Sequence, residues 1–197
     1  PAIDDATSMV VAAHFCRHET SADYLRLLHA VVTTRGIPLT IYQDRHGALS
    51  RNDDHWTLEE QLRGEQDPTQ VGMVLRDLGI QPIFAQSPQA KGRVERLFGT
   101  LQDRLCAELT HAGITSIDHA NAYLPGAIDA HNQRFAEADA ATKRVWRKVP
   151  KAIDLDRDIA FRYPAMVGND NAVRLNGLII DIPPGPKQRS YAKAQVE

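Results

Sequence analysis

Two carboxylates and three cations stand where chemistry is conceivable. Asp44 closes the β-type run Ile41-Tyr42-Gln43, and Glu95 lies in a Pro-, Gly- and Lys/Arg-containing stretch, Ser87 to Leu105, flanked by Lys91, Arg93 and Arg96. Within that stretch and just beyond it, Val94, Leu97, Phe98, Leu101, Leu105 and Leu109 step by three or four residues, which predicts an amphipathic helix with this stripe facing a core. Glu95 lies about 100° round the helix from Val94. It therefore sits at the rim of the stripe, on the side of Lys91, Gly99 and Gln102. On its own, a Glu so placed reads first as an exposed side chain on a surface helix. The three cations can meet phosphates, contacts that position a nucleic acid without reading its sequence. Taken alone they are solvated charges on a loop.

The elements that must position these groups are also legible. Thr20-Ser21 caps a helix through about Thr34, with Tyr24, Leu27, Leu28 and Val31 on one face, ended by Arg35-Gly36. Pro38 to Gln43 reads as a strand suited to a buried central position. Arg51 to Pro68 is polar and acidic, with one short helix from Thr57; Thr69 to Leu78 is a helix closed by Gly79. Ile80 to Phe84 is an edge strand, since Pro82 is costly in a central one. A helical crossover between strands implies a parallel pair with a right-handed link. Asp44 would then stand at the carboxyl end of a strand, where open α/β sheets place their sites.

Strand with Asp, helix, strand, loop, helix with Glu: in this order the chain resembles the catalytic core of integrases and DDE transposases, specifically the retroviral-integrase-like transposases of bacterial insertion elements. The residues that carry the resemblance are Gln43-Asp44, the run from Ser87 to Arg96 and the helix after it. The pattern Ser-Pro-Gln-x-x-Gly-x-Val-Glu is specific. The resemblance implies an α/β fold, an RNase H-like mixed sheet flanked by helices, and a DDE-type polynucleotidyl transferase. Such an enzyme cleaves phosphodiesters at transposon ends and transfers the strand, using two Mg²⁺ or Mn²⁺ ions held by hard carboxylate oxygens. Asp44 would bridge both ions and Glu95 would hold one; Lys91, Arg93 and Arg96 would bind DNA. The implied partners are transposon-end and target DNA, with a homo-oligomer assembled on it, in the bacterial cytoplasm at the nucleoid.

The same resemblance places the first catalytic aspartate on a strand upstream of Ile3-Asp4-Asp5, which reads as a turn. The chain is accordingly expected to be a fragment, truncated at both ends and inactive alone. Fifty residues separate Asp44 from Glu95, more than in retroviral relatives, and an insertion at 51–68 accounts for this. Gly99 and Gln102 stand where those relatives carry DNA-contacting lysines, which leaves the basic role to Lys91 and Arg93.

Beyond the Glu95 helix, Ser116 starts another, which Pro125-Gly126 should kink or split. Its end, His131 to Phe135, resembles the end of the family's core. The expected organisation is a catalytic core over 1–136, a linker over 137–157 and a small β-rich, barrel-like module over 158–197. In that module Asn176-Gly177 between two apolar runs signals a two-residue hairpin. The module resembles the C-terminal DNA-binding part of such transposases; a plain β appendage is the competing reading.

With 197 residues, 43% hydrophobic and 24% charged, the chain suits one medium domain and a small one. Its net charge of −2 is unevenly spread: from Lys143 to Glu197 eleven Lys/Arg face six acids, whereas Arg51 to Asp67 has two Arg and six acids. A basic tail fits backbone contact with nucleic acid. Cys16 and Cys106 form no framework and are expected to be buried in a reducing cytosol. There is no apolar run long enough for a membrane span. The eight histidines lack zinc-ligand spacing and are expected at the surface, and no phosphate-binding Gly-rich loop or Ser–His–Asp signature is present. Two other functions stay open: a catalytically inactive DNA-binding relic of a transposase, and an RNase H-like metal-dependent nuclease without strand transfer.

Overall fold

The structure, a computed structural model, describes residues 1–43, 47–51, 53–84, 92–136 and 146–196, with the backbone alone at 93 and 94. It is a mixed α/β chain in two compact units, Pro1–Ala160 and Phe161–Glu197.

The first unit begins with β1 (Ala2–Ile3) and β2 (Val10–Ala12), paired antiparallel around the Asp4-Asp5 turn. Helix α1 (Ser21–Arg35) follows because the Thr20 hydroxyl accepts the Asp23 N–H, satisfying a donor that the first turn leaves open. Its buried stripe centres on Leu25, Leu28, Val31 and Val32, one step round from the expected face. Gly36 ends it at φ +101°, where a side chain would collide with the Arg147 carbonyl.

The run after Gly36 is not one buried strand. The chain bends at Leu39, giving β3 (Ile37–Pro38) and β4 (Thr40–Gln43) with different partners. β3 is buried and pairs antiparallel with β6 (Trp146–Arg147), while β4 pairs parallel with β5 (Gln81–Phe84) and is half exposed. The crossover from β4 to β5 runs through α2 (Leu58–Arg63) and α3 (Gln70–Asp77). α1 and α3 enclose the main core: Leu25, Leu28 and Val32 meet Val71, Val74, Leu75 and Leu78, with Ile37, Leu49, Ile80 and Ile159.

Residues 146–159 belong to this core, although the linker was expected to reach 157. Val149, Ile153 and Leu155 lie against it, Leu155 starting α6 (Leu155–Asp158). The Arg147 guanidinium donates to the carbonyls of Leu78 at 2.6 Å and Gly79 at 2.9 Å, placing a cation on the carboxyl end of α3.

The acidic stretch after Leu49 is a built arm. Glu60 is 0% exposed. Its carboxylate accepts Arg51 Nη1 at 2.5 Å and the N–H groups of Thr57 and Asp67 at 2.8 Å each. The Thr57 hydroxyl accepts the Glu60 N–H in return, closing a capping box. Hydrogen bonds from the Asp67 and then the Thr57 backbone hold the Glu60 carboxyl down at about 2, against burial, which pushes it up. The arm is pinned where it leaves the core: Thr69 caps α3 and its hydroxyl also donates to the Leu49 carbonyl at 3.3 Å.

The last layer is α4 (Gly92–His111) and α5 (Ile117–Phe135). Leu105, Leu124 and Ala127 are buried between them, with Leu101, Tyr123 and Ile128 alongside and Ala13 and Phe15 of the β2 segment. α5 is continuous through Pro125 rather than split. Pro125 and Gly126 face solvent, and Asn121 and Asn132 tie both halves to the β2 segment. His131 is buried, not superficial, and both cysteines are exposed and free, not buried.

In the second unit β7 (Ala165–Met166) pairs antiparallel with β10 (Gln195–Val196), and β8 (Ala172–Leu175) with β9 (Leu178–Asp181). Asn176 and Gly177 take φ +49° and +82°, the two positive values that a tight hairpin of this twist requires. Val167, Ala172 and Val173 are buried. Among the described residues, no helix is long and apolar enough to cross a membrane.

Candidate functional site

The site is organised by one register. β4 and β5 run parallel with Thr40 opposite Gln81 and Gln43 opposite Phe84, so both strands end at the same edge. Asp44 is the next residue after Gln43, and the segment after Phe84 leads into α4. Asp44, Lys91 and the Arg93 side chain lie outside the described residues.

Glu95 and Arg96 are described. Glu95 sits in the first turn of α4, an end that favours a carboxylate through the helix macrodipole. It is exposed and, among the described residues, has no hydrogen bond or ion pair. Gly99 and Gln102, on its side of the helix, are exposed as expected; Phe98 is 47% exposed and does not join the buried stripe. Among the described residues of the stripe, Leu97 and Leu105 are buried and Leu101 is half-buried. Arg96 is exposed, and its Nε donates to the Gly92 carbonyl at 3.1 Å.

α4 is held from behind by a polar set that the sequence did not signal. Arg104 Nε donates to Glu108 at 2.9 Å, and the Tyr123 hydroxyl of α5 reaches the other Glu108 oxygen at 3.3 Å. Nearby, burial and then Arg104 hold the His131 pKa below the ordinary histidine value. A second unanticipated feature precedes Asp44 in the chain: among the described residues, Gln43 Nε2 is a buried donor without a hydrogen-bond partner. A buried donor left unpaired is destabilising, and in a native chain it calls for an explanation.

A carboxylate is a hard oxygen donor that can ligate a divalent cation. Asp44 and Glu95 are the residues that would hold it. Among the described residues, no group of three or more metal-ligating side chains gathers.

No protein-family model matches the chain. Curated proteins do. The chain is 36% identical over 157 residues to a protein of Sinorhizobium fredii named as a transposase, y4bF, covering 80% of this chain and 33% of that protein. It is also 36% identical over 135 residues to the transposase for insertion sequence IS1202 of Streptococcus pneumoniae, covering 68% of this chain and 28% of that one. The chain is a relative of insertion-element transposases. It spans about a third of the length of these relatives. Among solved structures, a chain in the simian T-cell lymphotropic virus intasome complex with PP2A regulatory subunit B56 gamma aligns with a TM-score of 0.42 and 19% identity. That alignment covers 83% of this chain and 52% of the other.

Proposed function

We propose that this chain is core sequence of a DDE-type DNA transposase, in which Asp44 and Glu95 are two of the metal-binding carboxylates. The observation that carries the reading is the parallel β4–β5 register: one strand ends at the residue before Asp44, and the other leads into the helix bearing Glu95. The 36% identity to insertion-element transposases supports it. So does an exposure pattern. Parallel strands are normally covered on both faces, yet Tyr42 and Ile83, opposite one another, are 52% and 40% exposed. We read the β1–β2 and β4–β5 pairs as parts of one RNase H-like mixed sheet, and the second unit as part of a small barrel-like DNA-binding module.

When bound, a pair of Mg²⁺ or Mn²⁺ ions supplies activation of the attacking oxygen and stabilisation of the leaving one. This chain's residues do the positioning. Asp44 and Glu95 hold the ions, and no third carboxylate is assigned within the chain. Lys91, Arg93 and Arg96 hold phosphates and fix the DNA register without reading its bases. The orphan Nε2 of Gln43 is a donor available to an oxygen at the strand edge. The substrates are transposon ends and target DNA, met by a homo-oligomer in the bacterial cytoplasm.

The test is strand transfer by the complete gene product on DNA carrying the flanking element ends, with Mg²⁺ or Mn²⁺, beside Asp44→Asn and Glu95→Gln. Variants that bind DNA but fail to cut uphold the assignment. An active variant removes that residue from the site. A parent that binds DNA and never cuts is a relic, and one that cuts without joining is a nuclease.

A further inference from the structure

The arm between Leu49 and Thr69 has no part in the chemistry above. It is stiff, because the fully buried Glu60 gathers Arg51, Thr57 and Asp67 around one carboxylate. On that support α2 presents Leu58, 71% exposed, and Leu62, 81% exposed, one turn apart, with Trp56 38% exposed beside them. Single exposed apolar residues are ordinary. Two leucines aligned on a braced helix form an apolar tip. The surroundings are acidic: Arg51 to Asp67 has two Arg and six acids, net −4. Such a surface repels phosphates, so its occupant is a protein with positive charge around an apolar patch.

This chain carries such a patch. In the second unit the β8–β9 hairpin exposes Leu178 at 65% and Ile180 at 48% on one face, and Ile179 at 65% on the other, with Arg174 opposite it in the ladder. Phe161 to Glu197 has five Lys/Arg against three acids, net +2. We propose that the arm is a self-association surface, its Leu58–Leu62 tip docking on the β8–β9 hairpin of a second copy. Apolar burial supplies the attraction, and the opposite charges select the hairpin over another acidic arm. This deepens the proposed assembly on DNA, so association is read without DNA, and a failure to associate and a failure to cut are separate results.

The experiment is sedimentation velocity of the intact chain at rising protein concentration. The parent associates, and Leu58→Ser/Leu62→Ser weakens association by roughly tenfold or more, since one fully buried leucine amounts to about a decade in affinity. Both residues are exposed, so circular dichroism stays unchanged. Ile179→Ser/Ile180→Ser weakens association to a similar degree, and raising salt weakens the parent. For contact between copies, Leu62→Cys and Ile179→Cys chains, each lacking Cys16 and Cys106, are mixed and oxidised. Disulfide-linked mixed pairs are expected. A parent that stays monomeric, a leucine variant that associates as well as the parent, or linkage confined to like chains overturns the proposal.

Discussion

Asn132 and Val10 stand 122 residues apart in sequence and exchange two hydrogen bonds, each 2.9 Å long. Asn121 does the same with Phe15, at 2.8 and 3.0 Å. The spacing explains the fit. Eleven residues of helix rise about 16.5 Å, and five residues of extended chain span about the same. Two amides three turns apart on α5 thus meet the outer edge of β2 and its continuation, pairing backbone groups that a free strand edge would leave open. Through α5 the clamp also fixes α4, and with α4 the height of Glu95.

Asn132→Ala strands the N–H and C=O of Val10, which is 1% exposed. A loss of about 1–3 kcal/mol in urea-unfolding stability is expected. Asn121→Ala should act in the same direction, and a double variant tests whether the clamps are coupled.

Gly36 and Gly64 both hold positive φ, +101° and +74°, but only Gly36 meets backbone, that of Arg147. Gly64→Ala should cost about 1 kcal/mol, the strain of a left-handed residue alone. Gly36→Ala should cost more, about 2–4 kcal/mol, because strain and the carbonyl contact add. Equal midpoints in thermal unfolding would show that β6 moves away freely.

Glu60 ties the arm to pH. Its folded pKa of about 2 lies below the ordinary 4.5. Its stabilisation is therefore complete above 4.5 and lost as pH falls from there through about 2. The amide resonances of Thr57 and Asp67 should shift together across that window. Glu60→Gln should loosen the arm at neutral pH and abolish the shared titration.

His131 titrates with the same sense in another range. Its folded pKa is lowered from 6.5, so the unfolded chain takes up the proton first and stability falls as pH drops below 6.5. A His131→Phe variant should show a shallower fall in melting temperature between neutral and mildly acid pH.

At the candidate site, stability and activity should separate. Glu95 is exposed and, among the described residues, unbonded, so Glu95→Gln should change folding stability by no more than about 0.5 kcal/mol while strand transfer is lost. Gln43→Leu removes a buried unpaired donor and should leave stability equal or up to about 1 kcal/mol higher. If Gln43 serves the chemistry, the same variant lowers strand transfer.

Local chemistry was the legible part of this fold. Thr20, Thr57, Thr69 and Ser116 each cap the helix that the sequence places after them, and Asn176-Gly177 makes the expected hairpin. Parallel pairing of the strand before Asp44 with the one before the Glu95 helix was also readable. What escaped depends on distant residues. The bend at Leu39 follows from Ile37 and Pro38 pairing with Trp146 and Arg147. Glu60 looks like one more solvated acid until Arg51, Thr57 and Asp67 close on it. Phe98 fits the helical stripe by spacing, yet it is 47% exposed. At the site, the exposure of Glu95 was legible; Asp44, Lys91 and the Arg93 side chain fall outside the described residues, and the buried amide of Gln43 had no signal in its neighbours.

The bond from Thr69 to the Leu49 carbonyl gives the arm a closed neck. Both ends are set by the core, whatever lies between them. A segment hung in this way can be lengthened, shortened or exchanged as a cassette without shifting the strands on either side. The separation in sequence between Asp44 and Glu95 is therefore free to drift while the strands that precede them stay paired.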